Sequence, residues 1–398
     1  MKSRLVAALA AVVIVGAGTA ACGGTKDDAK DGKGPILIGM PIALSGLASG
    51  IDSQWETGAR IAVDDINADG GVLGRKLKII TADSKSQASL AGNAAQSLID
   101  KGARFILPTA DYDLGSPAAR LAQAHGLVSI GLAGDPRWGA TGIGDLAFNL
   151  NAGSPTEGAS AARFAHDKGW SHPYVLGDTS LGYSVAFQKY FTRAWSLIGG
   201  AKPTTDTFQN SDTSLATQIS RIKAASPAPD VIVLASYPPG GTTALKQLRA
   251  AGITTPVIGG NAFDGTFWLT GLPNEKNFYA IGGGVITGTD PDPDRAKVFA
   301  AVTKSTGKAP TSGIFPLAGY SAVQAIAKAV TGAKSTDAKA VAARLAGFHD
   351  EPLALGPTTW TNSCHVAIGR PSVVIRMARG QETYVTTVDP ARVPKSIC

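Results

Sequence analysis

The chain has 398 residues, with 37 Lys or Arg against 30 Asp or Glu and a formal net charge of +7. The charges are scattered, and no dense basic cluster is interleaved with aromatics, so a solvated surface is the reading and nucleic-acid binding is excluded. The length is too great for one ordinary core and predicts two domains.

Residues 1–22 read as an export signal and not as part of a fold. Lys2 and Arg4 give a positive start, and Leu5 to Val15 is an apolar run too short for a comfortable membrane span. Thr19-Ala20-Ala21-Cys22 resembles a bacterial lipobox, with Thr19 where that pattern prefers leucine. The resemblance implies that Cys22 is lipidated and becomes the mature N-terminus. The alternative is an ordinary secretory signal with Cys22 incidental. Residues 23–34, GGTKDDAKDGKG, hold no apolar side chain larger than alanine and predict a flexible tether. With Cys22 lipidated, Cys364 and Cys398 remain, and in an exported chain they read as a disulfide. Two free buried thiols are the alternative.

The body alternates strands and helices. Ile36–Met40 is a strand, followed by a glycine-rich loop and a helix ending at Asp69. Ala59, Ala62, Val63 and Ile66 make that helix's apolar face, and Gly70-Gly71 supply the positive φ that ends it. Then come strand Leu77–Ala82, helix Ala88–Asp100, strand Phe105–Leu107, helix Ser116–His125 and strand Leu127–Gly131. This order implies a parallel sheet covered by helices. The pattern restarts with helix Pro155–Lys168, strand Tyr174–Leu176 and helix Tyr183–Leu197. Helix Ser214–Ala225, strand Val231–Leu234, helix Gly241–Ala251 and strand Pro256–Ile258 follow. Three helical segments lie near Arg295–Thr306, Pro316–Val330 and Asp337–Leu345, and Val366–Val388 reads as a hairpin. Open parallel sheets bind ligands at the carboxyl ends of their strands. Functional residues should therefore follow Met40, Leu107, Gly131, Leu234 and Ile258.

Catalytic motifs are missing. No G-x-G-x-x-G opens a helix after a strand, and Gly307-Lys308 is followed by Ala309, so no phosphate loop exists. There is no H-E-x-x-H and no G-x-S-x-G. The five histidines, His125, His166, His172, His349 and His365, are isolated. No cofactor, no metal and no enzymatic activity are expected.

Ile38–Gly46 (IGMPIALSG), Gly58–Asp83 (GARIAVDDINADGGVLGRKLKIITAD), the segment FILPTADYD and Asp178–Ser184 (DTSLGYS) occur in an order and spacing that resemble one family. It is the type I periplasmic solute-binding proteins of ABC transporters, in their branched-chain amino-acid-binding branch. The resemblance covers Pro35 to about Pro390, and with the lipobox and tether it resembles the Gram-positive lipoprotein form. It implies an α/β fold of two doubly wound parallel-sheet lobes joined by three crossover segments. The lobes would be residues 35–152 plus 284–355 and residues 153–283 plus 356–398. It also implies a monomer, anchored to the outer face of the membrane by Cys22, that closes on a small molecule and delivers it to ABC permease subunits. A ligand-sensing protein serving a membrane receptor is the alternative, and an extracytoplasmic α/β hydrolase is a weaker one.

The same resemblance indicates a pocket. The family's serine after the third strand falls at Asp111 here, and the threonine after the fourth strand at Gly134. The second-lobe tyrosine is kept as Tyr237. The acid that pairs with an α-amino group is replaced by Asn261. A carboxylate at Asp111 would repel a ligand carboxylate, and Asn261 offers no charge to an ammonium group. Ordinary α-amino acids are therefore expected to bind poorly, with neutral or cationic cargo ahead of anionic. Ser45, Leu47, Ser49, Tyr112, Phe263 and Asp264 are further strand-end candidates. Trp55 walls the site or caps the core. Asp111 could instead be a helix N-cap, Tyr237 a core aromatic and Asn261 a turn residue.

Overall fold

A computed structural model describes residues 34–139, 142–390 and 392–393. The expected signal, the lipobox with Cys22, the tether up to Lys33 and Cys398 lie outside the described residues. Among the described residues no helix is long and apolar enough to cross a membrane.

The first half builds β1 (Ile36–Ile42), α1 (Ser49–Ala68), β2 (Leu77–Asp83), α2 (Ala88–Asp100), β3 (Phe105–Ile106), α3 (Tyr112–Ala124), β4 (Val128–Gly131) and β5 (Ala147–Asn149). Its five strands pair in parallel in the order β2-β1-β3-β4-β5. The expected stop of the first helix is present. Gly70 and Gly71 take φ of 103° and 82°, and the Gly71 N–H donates back to Ile66 O at 2.8 Å. The helix after β3 begins at Tyr112, four residues before the expected Ser116, because the Asp111 carboxylate caps it by accepting from Leu114 N at 3.0 Å.

The second half builds α4 (Gly153–Asp167), β6 (Pro173–Asp178), α5 (Gly182–Leu197), β7 (Thr204–Phe208), α6 (Ala216–Ala224), β8 (Val231–Ala235), α7 (Gly240–Ala250), β9 (Val257–Gly259) and β10 (Phe278–Gly282). The chain then returns to the first sheet through α8 (Pro293–Thr306), α9 (Ile314–Ala333) and α10 (Ala338–Leu345), whose apolar faces join the core of α1, β1 and β4. It crosses back to form the hairpin β11 (Ser372–Ala378) and β12 (Gln381–Val388), which starts six residues later than expected. The second sheet runs β12-β11-β10-β9-β8-β6-β7, with only the hairpin antiparallel.

Both sheets carry near-continuous apolar strands such as Val231–Ala235, buried throughout, as a sheet covered on both faces requires. Three strands were not expected from sequence. β5 is three residues long, β7 is mostly polar, and β10 follows a loop with no helical signal before it.

Candidate functional site

The carboxyl ends of both sheets face one cleft. On the first side, Asp52 of α1 holds two loops together. Its fully buried carboxylate accepts from Ala43 N at 2.7 Å and from Ala110 N at 3.0 Å, which fixes the loop after β1 against the loop after β3. Burial pushes Asp52 up to about 7, against the pull of those backbone bonds. On the second side, Asp178 orders the loop after β8. It accepts from Ser236 Oγ at 2.7 Å and from Asn210 Nδ2 at 2.8 Å, while Asn210 Nδ2 also donates to Tyr237 O at 2.9 Å.

Between these loops lies a cavity of about 90 Å³ lined by Asp111, Gly134, Asn151, Tyr183, Tyr237 and Asn261, among others. Five of the expected residues therefore meet: Leu47 and, as the family-derived set, Asp111, Gly134, Tyr237 and Asn261. Leu47, Ile51, Tyr237, Pro238 and Ala262 continue into an outer groove of about 550 Å³, whose walls include Phe267 and Trp268. Asn151 and Asn261 continue inward to a third compartment of about 240 Å³ beside the crossovers, which Gly283 and Arg370 also line.

Each of the four family-derived residues has a physical setting. Asp111 is at once the N-cap of α3 and part of the cavity wall, and burial, with help from Asp113 and Asp135, lifts its carboxyl to about 6. A side chain at Gly134 has no room, since an added Cβ would lie 2.3 Å from the Tyr183 ring. The aromatic ring from the second side thus fills the volume that a threonine would take. Tyr237 is half-buried, and desolvation with Asp178 and Asp111 nearby raises its hydroxyl to about 12, so it stays a donor. Asn261 opens a short 3-10 turn, and its N–H donates to Glu157 Oε1 at 3.2 Å.

The other expected residues sit elsewhere. Ser45 is exposed and its Oγ donates to Asp83 Oδ2 at 2.9 Å. Ser49 begins α1 and its Oγ donates to Gly46 O at 2.7 Å. Tyr112 is buried in the first half, edge-on to Trp138, with its hydroxyl accepting from Arg120 Nη2 at 2.7 Å and the Arg137 guanidinium 4.3 Å from its ring centroid. Phe263 is fully buried in the second core, packed on Trp268 and Phe278, because the turn at residues 261–263 directs its ring inward. Asp264 accepts from Gly283 N at 2.6 Å and Gly313 N at 2.7 Å, so it braces the crossover against the start of α9. Trp55 is fully buried in the first core. Cys364 lies between the crossover and β11.

Sequence reasoning missed Glu157, Tyr183 and Asn151. Tyr183 was within reach, because it stands five residues past the end of β6 in the segment DTSLGYS. Glu157 lay inside an expected helix with nothing to distinguish it from a surface acid. The two halves also touch around the cleft. Ser154 N and Oγ both donate to Gly134 O at 2.7 Å, Gly182 N donates to Asp113 Oδ2 at 3.3 Å, and Thr266 N donates to Thr311 O at 2.8 Å. Among the described residues no group of His, Cys, Asp and Glu is placed to hold a metal ion.

Comparisons with known proteins agree with this geometry. A family profile described as periplasmic binding protein matches residues 35–382. The chain is 25% identical to the Leu/Ile/Val-binding protein BraC3 of Rhizobium johnstonii over 328 residues, covering 82% of this chain and 87% of that one. It is 23% identical to the Leu/Ile/Val-binding protein of Escherichia coli K12 over 329 residues, with 82% and 86% covered. Among solved structures, the branched-chain amino acid transporter substrate-binding protein LivJ of Streptococcus pneumoniae, in complex with isoleucine, superposes with a TM-score of 0.78 at 22% identity, covering 89% of this chain and all (100%) of that one. A solute-binding protein of an ABC transporter from R. palustris, in complex with benzoate, gives 0.74 at 15% identity, with 91% and 98% covered. The two parallel-dominated sheets, the cleft at their carboxyl ends and the match over residues 35–382 make this chain a type I periplasmic binding protein of the branched-chain amino-acid-binding family.

Proposed function

We propose that this protein is the extracytoplasmic solute-binding component of an ABC importer. It closes two lobes, residues 35–152 plus 284–355 and residues 153–283 plus 356–398, around a small polar organic molecule and hands it to permease subunits. It acts as a monomer and without chemistry on the cargo. The observation that carries the reading is the cleft itself, where Asp111 and Gly134 from one sheet meet Tyr237 and Asn261 from the other. A site split between two halves can bury most of a ligand and couple occupancy to closure.

The cargo is neutral or cationic, and is not an ordinary α-amino acid. The support is the charge of the wall: Asp111 stands where a ligand carboxylate would be held, and Asn261 leaves no charge for an ammonium group. A thermal-shift screen of residues 23–398 against amino acids, amides, polyamines, aromatics and sugars tests this. A true cargo at a hundredfold excess over its Kd adds about 2.7 kcal/mol of stability. Tyr237→Ala or Asp111→Ala is expected to cut that shift. Micromolar binding of leucine or valine overturns the cargo reading, and hits indifferent to both changes overturn the placement of the pocket.

We also propose that Cys22 is lipidated and anchors the body to the outer face of the membrane, and that Cys364 pairs with Cys398. The support is chemical: a small-residue run ends at Cys22, and two cysteines remain in an oxidising compartment. Mass spectrometry of the membrane fraction reads both. A diacylated Cys22 and an unreduced peptide pair are expected. An unmodified Cys22, or free thiols on Cys364 and Cys398, rejects the corresponding half.

A further inference from the structure

The wall that Asn261 leaves uncharged has an acid directly behind it. Glu157, on α4, is fully buried; its Oε1 accepts from Asn261 N at 3.2 Å, the Tyr183 hydroxyl stands against the carboxyl as a donor, and Oε2 makes no hydrogen bond of good geometry. A buried carboxyl oxygen left short of donors is costly, and more so when ionised. The void beside it adjoins the site. Glu157 lines the inner compartment of about 240 Å³, and Asn151 and Asn261 line both that compartment and the central cavity. The outer groove is mostly apolar, walled by Leu47, Ile51, Phe267 and Trp268, with Gln54, Lys246 and four threonines also on its lining.

We propose that Glu157 is the polar anchor of the cargo: a basic nitrogen passes Asn151 and Asn261 and donates to Oε2, while the apolar body of the molecule stays in the outer groove. This rests on the solute-binding reading above and names its class of cargo, an amine carrying an apolar group. The surroundings suit a donor. Tyr183 of α5 shows that the carboxyl accepts from a donor here: its hydroxyl hydrogen-bonds Glu157 while its oxygen accepts from Ala262 N at 3.3 Å, and a cargo nitrogen joins it at the carboxyl. Asp264 adds negative charge from the loop after Asn261. The two cations of the compartment are engaged elsewhere. Arg370 donates to Leu150 O at 2.7 Å, Pro357 O at 3.1 Å and Thr358 Oγ1 at 2.6 Å, and Arg295 is paired with Asp290 at 2.9 Å. Desolvation, ahead of the Asp264 charge, lifts Glu157 to about 8, so an ammonium must recruit the ionised form.

The test uses benzylamine, phenethylamine and phenylbutylamine, each beside the matching alcohol and carboxylate, by calorimetry on the soluble body. Amines are expected to bind at least about tenfold tighter than alcohols. Their affinity should rise by about one to two orders of magnitude from about pH 6 to about pH 9 as Glu157 ionises, while alcohol binding stays flat. Glu157→Gln should remove both the preference and the slope. If that variant does not fold, the wild-type pH slope of amines against alcohols decides alone. Amines binding no better than alcohols, carboxylates binding best, or an unchanged slope in E157Q overturns the proposal. If other solutes of the broad screen shift the melting temperature and these amines do not, only this inference fails. If no solute shifts it, the solute-binding reading fails as well.

Discussion

Gly58→Ala is expected to cost on the order of 3–5 kcal/mol and to leave the first half largely unfolded at moderate temperature. Alanine is the better helix former by about 1 kcal/mol, so local propensity argues for the opposite result. Packing decides, because α1 and α9 touch backbone to backbone. A Cβ on Gly58 would lie 1.9 Å from Pro316 O, and one on Gly319 would lie 2.0 Å from Trp55 O. Neither neighbour is a flexible side chain that could turn aside. The helices would have to separate, and with them the contacts of Trp55, Ala59 and Ala62 with Leu317, Ala318 and Ala322 in the buried core. Gly92→Ala on α2 is the matched control, since nothing lies within 4 Å of its added Cβ. It should be neutral or gain up to about 1 kcal/mol. Urea titrations of both variants check the pair. Equal midpoints would show that α1 and α9 do not meet this closely.

Gly58 also marks what a sequence conveys and what it withholds. The stretch it opens announced a helix, a glycine stop and a strand, and all three are present, because propensity, periodicity and turn chemistry are local properties written in neighbouring residues. The reason for Gly58 itself is α9, more than 250 residues later in the chain. The site divides in the same way. Asp111, Gly134, Tyr237 and Asn261 each follow a strand, and the strand-end rule with the family resemblance points to them. Phe263 follows a strand too, yet its ring turns into the core, since the direction of a side chain in a 3-10 turn is not a matter of spacing. Ser45 and Ser49 bond within their own loop or to Asp83, which no periodicity foretells. Glu157 is the extreme case. It is a helical acid by sequence, and it is buried only because residues 260–262, about a hundred positions on, fold over it.

The folded body should be more stable near pH 5 than near pH 8. Five carboxyls set the direction: Asp52 at about 7, Asp111 and Asp264 at about 6, and Glu157 and Glu382 at about 8, each raised chiefly by desolvation. In the unfolded chain such groups titrate near about 4. Between those limits the folded state holds more protons than the unfolded state. Stability therefore falls as pH rises, by about 1.4 kcal/mol per unit for each proton of difference. Asp83, Asp230 and Glu275 are held low by hydrogen bonds or by Arg249, and their contribution changes only in more acidic solution. A melting temperature several degrees higher at about pH 5 than at about pH 8 is the expected result, and a flat or rising profile contradicts it. Glu382→Gln isolates one contributor. Glu382 Oε1 accepts from Ile286 N while Oε2 has no partner, so an amide can keep its oxygen on Ile286 and turn its nitrogen to the vacant side. The variant should therefore fold, and its profile should be shallower than that of the wild type by about one proton. A ligand amine on Glu157 would act in the same sense. By drawing that carboxyl back to its ionised form, it would flatten the slope of the loaded protein relative to the empty one, which ties the pH dependence of stability to occupancy of the cleft.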